Sequence, residues 1–103
     1  MPDEMPEKDW QTEVINALTL HGFTKIYHTY DSRKSEPGFP DILAIRPSDG
    51  YMVVWELKSE KGRCTDAQAD WLEAFHSVKR FNVNVMRPSD MEKVLGLVRA
   101  PNL

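Results

Sequence analysis

Three polar side chains interrupt two runs that are otherwise apolar. Asp41 opens Asp41-Ile42-Leu43-Ala44-Ile45, and Glu56 and Lys58 close Tyr51-Met52-Val53-Val54-Trp55-Glu56-Leu57-Lys58. Runs rich in Ile, Val, Trp and Tyr around Pro47-Ser48-Asp49-Gly50 predict a β-hairpin. Apolar residues on both faces predict central strands with helices on each side. A two-residue loop of Ser48-Asp49, or a four-residue loop over 47–50, puts Asp41 directly opposite Glu56, about 5 Å away. A loop of Asp49-Gly50 puts Asp41 opposite Lys58 instead. In either register the three side chains share one face of the sheet.

Two carboxylates at that spacing in an apolar sheet repel each other and resist burial. Lys58 offsets part of that cost. A divalent cation held by both carboxylates offsets more. Mg²⁺ or Mn²⁺ suits one or two carboxylates, with water and a substrate phosphate completing the shell. Such an ion activates water for phosphodiester cleavage, and an amine beside that water stabilises the charge that develops.

The ordered set Gly38-x-Pro40-Asp41, Glu56-x-Lys58 and Thr65-x-x-Gln68-x-x-Trp71 resembles the VRR-NUC branch of the PD-(D/E)XK nucleases, the stand-alone phage and bacterial type. The likeness runs from Trp10 to Val98, nearly the whole chain. It implies a metal-dependent DNA endonuclease in which Asp41, Glu56 and the Leu57 backbone carbonyl hold Mg²⁺ or Mn²⁺. Lys58 positions the attacking water. The resemblance also implies roles for an acid from the first helix, matched here by Glu13, and for Gln68. Stand-alone members tend to be homodimers that cut branched DNA, Holliday junctions included.

The chain has 103 residues, is 41% hydrophobic and 28% charged, and predicts one soluble domain with a single core. No apolar run approaches a membrane span of about 20 residues. A lone cysteine, Cys64, forms no internal disulfide and suits a reducing cytoplasm, bacterial or phage-infected. The net charge of −3 argues mildly against a nucleic-acid binder. However, Asp3, Glu4, Glu7 and Asp9 against Lys8 put that excess at the N-terminus. A local basic rim of Arg33, Lys34, Lys61 and Arg63 is the expected phosphate contact; solvated surface charges are the plainer reading of the same residues.

The elements that position these groups read as α-β-β-β-α-β-α. Residues 1–9 form an acidic tail, 10–99 the domain and 100–103 a second tail. Asp9 caps a helix whose stripe is Trp10, Val14, Ala17 and Leu18, with Gly22 as its stop. Glu13 fits that helix equally as a boundary charge. Residues 23–30 predict a strand, and 31–37 a polar loop. Thr65 and Gln68 form a capping box for a helix carrying Trp71, Leu72, Phe75 and Val78, which explains Gln68 without any function. Residues 82–86 predict a fourth strand ended near Pro88, and Ser89-x-x-Glu92 a cap for the last helix. The long helical connection between strands three and four requires a parallel crossover, so the sheet is mixed. This is the restriction-endonuclease-like core that the resemblance implies.

Other chemistries fit poorly. His21, His28 and His76 lack zinc spacing, and no Gly-rich phosphate loop is present. No histidine stands where it would activate Cys64 as a nucleophile. A non-catalytic nucleic-acid-binding or assembly domain, with Asp41, Glu56 and Lys58 as a structural ion-pair network, is the alternative reading.

Overall fold

The computed structural model describes residues 5–29, 36–78 and 81–101. Its elements are α1 (Glu7–Leu20), β1 (Lys25–His28), β2 (Ile42–Arg46), β3 (Tyr51–Leu57), α2 (Asp66–His76), β4 (Asn82–Met86) and α3 (Met91–Arg99), with a 3₁₀ turn at Pro88–Asp90 before α3. Four strands form one sheet in the order β1-β2-β3-β4. The first two pairings are antiparallel and β3–β4 is parallel, as the helical crossover requires. Among the described residues no helix is long and apolar enough to cross a membrane.

The hairpin register is the one that aligns the carboxylates. Arg46 pairs with Tyr51 and Ile42 with Trp55, so Asp41, one step outside β2, faces Glu56. Arg46 sets this four-residue turn. Its carbonyl accepts from Gly50 N at 2.9 Å, and its guanidinium grips the Asp49 carboxylate with two bonds of 2.8 Å. The same guanidinium donates to the Val98 and Ala100 carbonyls at 2.6 Å and lies over the Phe23 and Tyr51 rings. One buried cation thus ties the hairpin turn to the end of α3, with four of its five N–H donors matched by acceptors.

The sheet separates two cores. α1 and α3 pack Trp10, Val14, Leu18, Val94 and Val98 against Ile42, Ala44, Val53, Trp55, Leu57 and Met86. On the other face, α2 brings Leu72 and Phe75 against Val54 and Val83. Both buried indoles are satisfied: Trp10 Nε1 donates to Met86 O at 2.8 Å, and Trp55 Nε1 to Asn82 Oδ1 at 2.7 Å. The α2 face is covered only in part. Tyr27 is 53% and Val78 54% exposed, and Leu43 and Ile45 are half-buried beside Tyr27.

Three expectations need correction. α1 begins at Glu7, not Trp10, with Pro6 as its extended N-cap. Proline is tolerated at a helix start, and Glu7 and Asp9 supply first-turn negative charge that favours the helix dipole. Asp9 is therefore a first-turn acid and not the cap, and residues 7–9 belong to α1. Ser89 does not cap α3. Its N–H and hydroxyl donate to the Glu60 carboxylate at 3.0 and 2.9 Å, while Asp90 accepts from Arg87 N at 2.8 Å. β1 begins at Lys25 and is Lys25–His28, because Phe23 has already turned into the core; Tyr30 and residues 31–35 of the expected loop lie outside the described residues.

Candidate active site

The paired carboxylates sit where β2 begins and β3 ends. Pro40 cannot donate a ladder hydrogen bond, so regular pairing starts only after Asp41. The Asp41 side chain then acts as a backbone carbonyl would: Oδ2 accepts from Leu57 N at 3.0 Å. The Asp41 carbonyl accepts from Thr29 N at 2.9 Å, fixing the residue from the β1 side. Glu56 pairs with Val85 on β4 and is 1% exposed. Lys58 Nζ lies 3.1 Å from Glu56 Oε2. Glu56 Oε1 is buried with no well-aligned hydrogen bond among the described residues, and the carboxyl lies close enough to that of Asp41 to share a proton with it.

Burial, reinforced by the charge of Asp41 and opposed by Lys58, pushes the Glu56 carboxyl up to about 7. A carboxyl whose folded pKa exceeds its ordinary value of 4.5 stabilises the fold fully below 4.5. That contribution is lost as the pH rises through about 7. At about 1.4 kcal/mol per pKa unit, the loss is on the order of 3 kcal/mol. We expect the melting temperature of EDTA-treated protein to fall between pH 5 and pH 8 by more in the wild type than in Glu56→Gln. Parallel pH profiles for the two proteins would contradict the assignment.

Two further groups reach this strand end. Glu7 lies within electrostatic range of Lys58 and Asp41; burial, above all, raises its pKa, with Lys58 opposing and Asp41 adding. His28, paired with Ile42, has its pKa lowered by burial, with the nearby Asp41 charge opposing. Glu7 was legible as one more turn of the stripe, since Glu7, Trp10, Val14 and Leu18 follow helical spacing. Reading Pro6 as part of a tail hid it. His28 carried no sequence signal beyond its place near the end of a strand.

The family model for the VRR-NUC domain matches residues 4–90. The chain belongs to the VRR-NUC family. It is also 29% identical, over 62 residues, to the Fanconi-associated nuclease 1 homolog of Schizosaccharomyces pombe. That alignment covers 58% of this chain and 9% of the relative, so the chain spans about a tenth of that protein's length. No solved structure matches.

Within this VRR-NUC domain the α1 carboxyl within electrostatic range of Asp41 and Lys58 is Glu7. Glu13 is exposed and is not brought to them. Six residues along a helix place Glu13 on a different side from Glu7. Gln68 completes the capping box: Oε1 accepts from Thr65 N at 2.8 Å, and Gln68 N donates to Thr65 Oγ1 at 3.1 Å. These bonds do not reach the carboxylates. Its neighbour Ala67, however, is the close contact of Gly38, so the first turn of α2 packs on the segment that leads to Asp41.

Lys61 and Arg63 are exposed on the loop after Lys58. Arg87 orders that loop, donating to the Ser59 and Gly62 carbonyls at 2.9 and 2.6 Å. The two cations therefore stand on a braced loop beside the site. Arg33 and Lys34 lie outside the described residues.

Proposed function

We propose that this VRR-NUC domain is a metal-dependent structure-specific DNA endonuclease that acts on branched DNA, the four-way junction foremost, as a homodimer. The observation that carries the reading is Glu56, a carboxyl 1% exposed that faces a second carboxyl, Asp41, with Lys58 the cation beside it among the described residues. Such an arrangement is costly as a purely structural feature. Among the described residues no group of three or more His, Cys, Asp or Glu side chains gathers to hold a metal. Two carboxylates fit Mg²⁺ or Mn²⁺, which keep several water ligands and share a substrate phosphate. Asp41 and Glu56 would hold the ion, with the Leu57 carbonyl at the same strand end.

Held there, a divalent ion would supply Lewis acidity and lower the pKa of a bound water. The chain supplies the rest. The Leu57 N–H fixes one Asp41 oxygen and so orients the carboxylate. The Lys58 ammonium, held by Glu56, orients the attacking water and stabilises charge on the pentacovalent phosphate. Lys61 and Arg63 contact flanking phosphates.

The homodimer has support in the partly covered α2 face, where Tyr27, Leu43, Ile45 and Val78 leave apolar surface accessible. A two-fold pair presents two active sites to two strands, as symmetric junction cleavage needs. Light scattering on a size-exclusion column should give twice the chain mass of 11.9 kDa at micromolar concentration. A monomer there would remove the symmetric-resolution reading.

The functional test compares a labelled four-way junction with a matched linear duplex in Mg²⁺, Mn²⁺ and EDTA. Symmetric incision of the junction alone, only with metal, is expected. Equal cutting of the duplex would overturn the structure specificity, and cutting in EDTA would overturn the metal dependence.

A further inference from the structure

α1 carries a second, more polar stripe beside its core stripe, with Ile15 packed against the core from its edge. Lys8, Gln11, Thr12, Ile15 and Asn16 follow helical spacing beside the core stripe and, with His28, line a cleft of about 230 Å³. We propose that this cleft is a subsite for one unpaired nucleobase flanking the scissile phosphate, its edge read by the side-chain amides of Gln11 and Asn16. The proposal rests on the nuclease reading and adds a substrate requirement to it: a nucleotide free of the stack beside the cut.

The position follows from the register. His28 is the last residue of β1 and pairs with Ile42, next to Asp41. Lys8 follows Glu7, which senses both Asp41 and Lys58. The cleft therefore lies at the strand end that holds the carboxylates, on the α1 face of the sheet, while Asp41 and Glu56 alternate onto the α2 face of the same end.

The chemistry selects a base over a phosphate. Lys8, at the exposed rim, is the one lysine or arginine among the described lining residues, whereas a phosphate subsite gathers cations or several N–H donors. Gln11 and Asn16 each offer an adjacent donor and acceptor, the pattern that pairs with a base edge. The half-buried Ile15 and the His28 ring supply apolar and aromatic walls of the kind that hold an extruded base. Thr12 Oγ1 donates to Lys8 O at 3.2 Å, which leaves its oxygen able to accept. A fully paired duplex must unstack a nucleotide to fill the cleft, whereas a branch point or flap already offers one.

The test needs no cleavage. ¹⁵N-labelled protein in EDTA is titrated with four single-stranded homotetranucleotides, one per base, and with inorganic phosphate. Side-chain amide shifts of Gln11 and Asn16 that differ among the bases, and that phosphate fails to reproduce, are expected. The Gln11→Ala/Asn16→Ala double variant, altered on an accessible helix face, should bind the preferred oligonucleotide about tenfold more weakly and lose the base preference. Amides that do not move, or move alike for every base and for phosphate, would overturn the subsite. The Mg²⁺ cleavage assay separates the two readings: base-dependent shifts without any cleavage would sink the nuclease and leave the base-binding cleft.

Discussion

Asp41→Asn protein should cleave DNA slower by on the order of 10³-fold, the loss typical of removing one preorganised electrostatic group from an active site. It should also be at least as stable as the wild type. The asparagine oxygen can still accept from Leu57 N, so the bond that ends the β2–β3 ladder survives. Removing the charge also relieves the repulsion that helps raise the Glu56 pKa. Lost activity with unchanged or higher melting temperature separates a functional carboxylate from a structural ion pair, whose loss would destabilise the fold. Single-turnover cleavage and a thermal melt on the same preparation give both numbers. Full activity, or a large fall in stability, would contradict the assignment.

Gly38→Ala should cost about 3–5 kcal/mol, combining a left-handed backbone with a forced close contact. Gly38 has φ +83°, and an added Cβ would lie 2.5–2.7 Å from the backbone and Cβ of Ala67. Backbone on both sides leaves nothing flexible to give way. The neighbouring Phe39 ring packs edge-on against Trp71 and Phe75, so pushing this segment off α2 also disrupts that aromatic cluster. Gly50→Ala is the control. Its φ of +69° carries a similar backbone penalty, but nothing lies within 4 Å of its Cβ. Urea unfolding should show a loss several times larger at Gly38 than at Gly50. Equal losses would mean that Gly38 is needed only for its dihedral. Because Gly38-Phe39-Pro40 delivers Asp41, the Gly38 variant should also lose cleavage at temperatures where it remains folded.

The hairpin was legible because its turn residues limit the register and its apolar runs limit the faces. The choice between the two registers lay beyond local pattern. It is settled by Arg46, whose carbonyl closes the turn and whose guanidinium reaches Asp49 and, more than fifty residues away, the end of α3. α2 was legible down to its cap, since Thr65 and Gln68 interact within one turn. Ser89 was misread for the opposite reason. A capping pattern states what a side chain can do locally, and Glu60, brought near by the fold, competes for it. Glu7, the α1 carboxyl within electrostatic range of Asp41 and Lys58, was passed over because it sits just after a proline, whereas Glu13 lies inside the obvious amphipathic segment. The α1 cleft was invisible in the sequence, because it exists only once the end of β1 packs beside α1.

The most direct measurement is Mn²⁺ binding by calorimetry at neutral pH, on wild type, Asp41→Asn and Glu56→Gln, with cleavage followed in the same samples. Wild type should bind Mn²⁺ saturably, both variants should bind it far more weakly, and cleavage should rise with Mn²⁺ occupancy. Equal Mn²⁺ affinity in all three proteins, or cleavage unaffected by occupancy, would contradict a metal centre at Asp41 and Glu56.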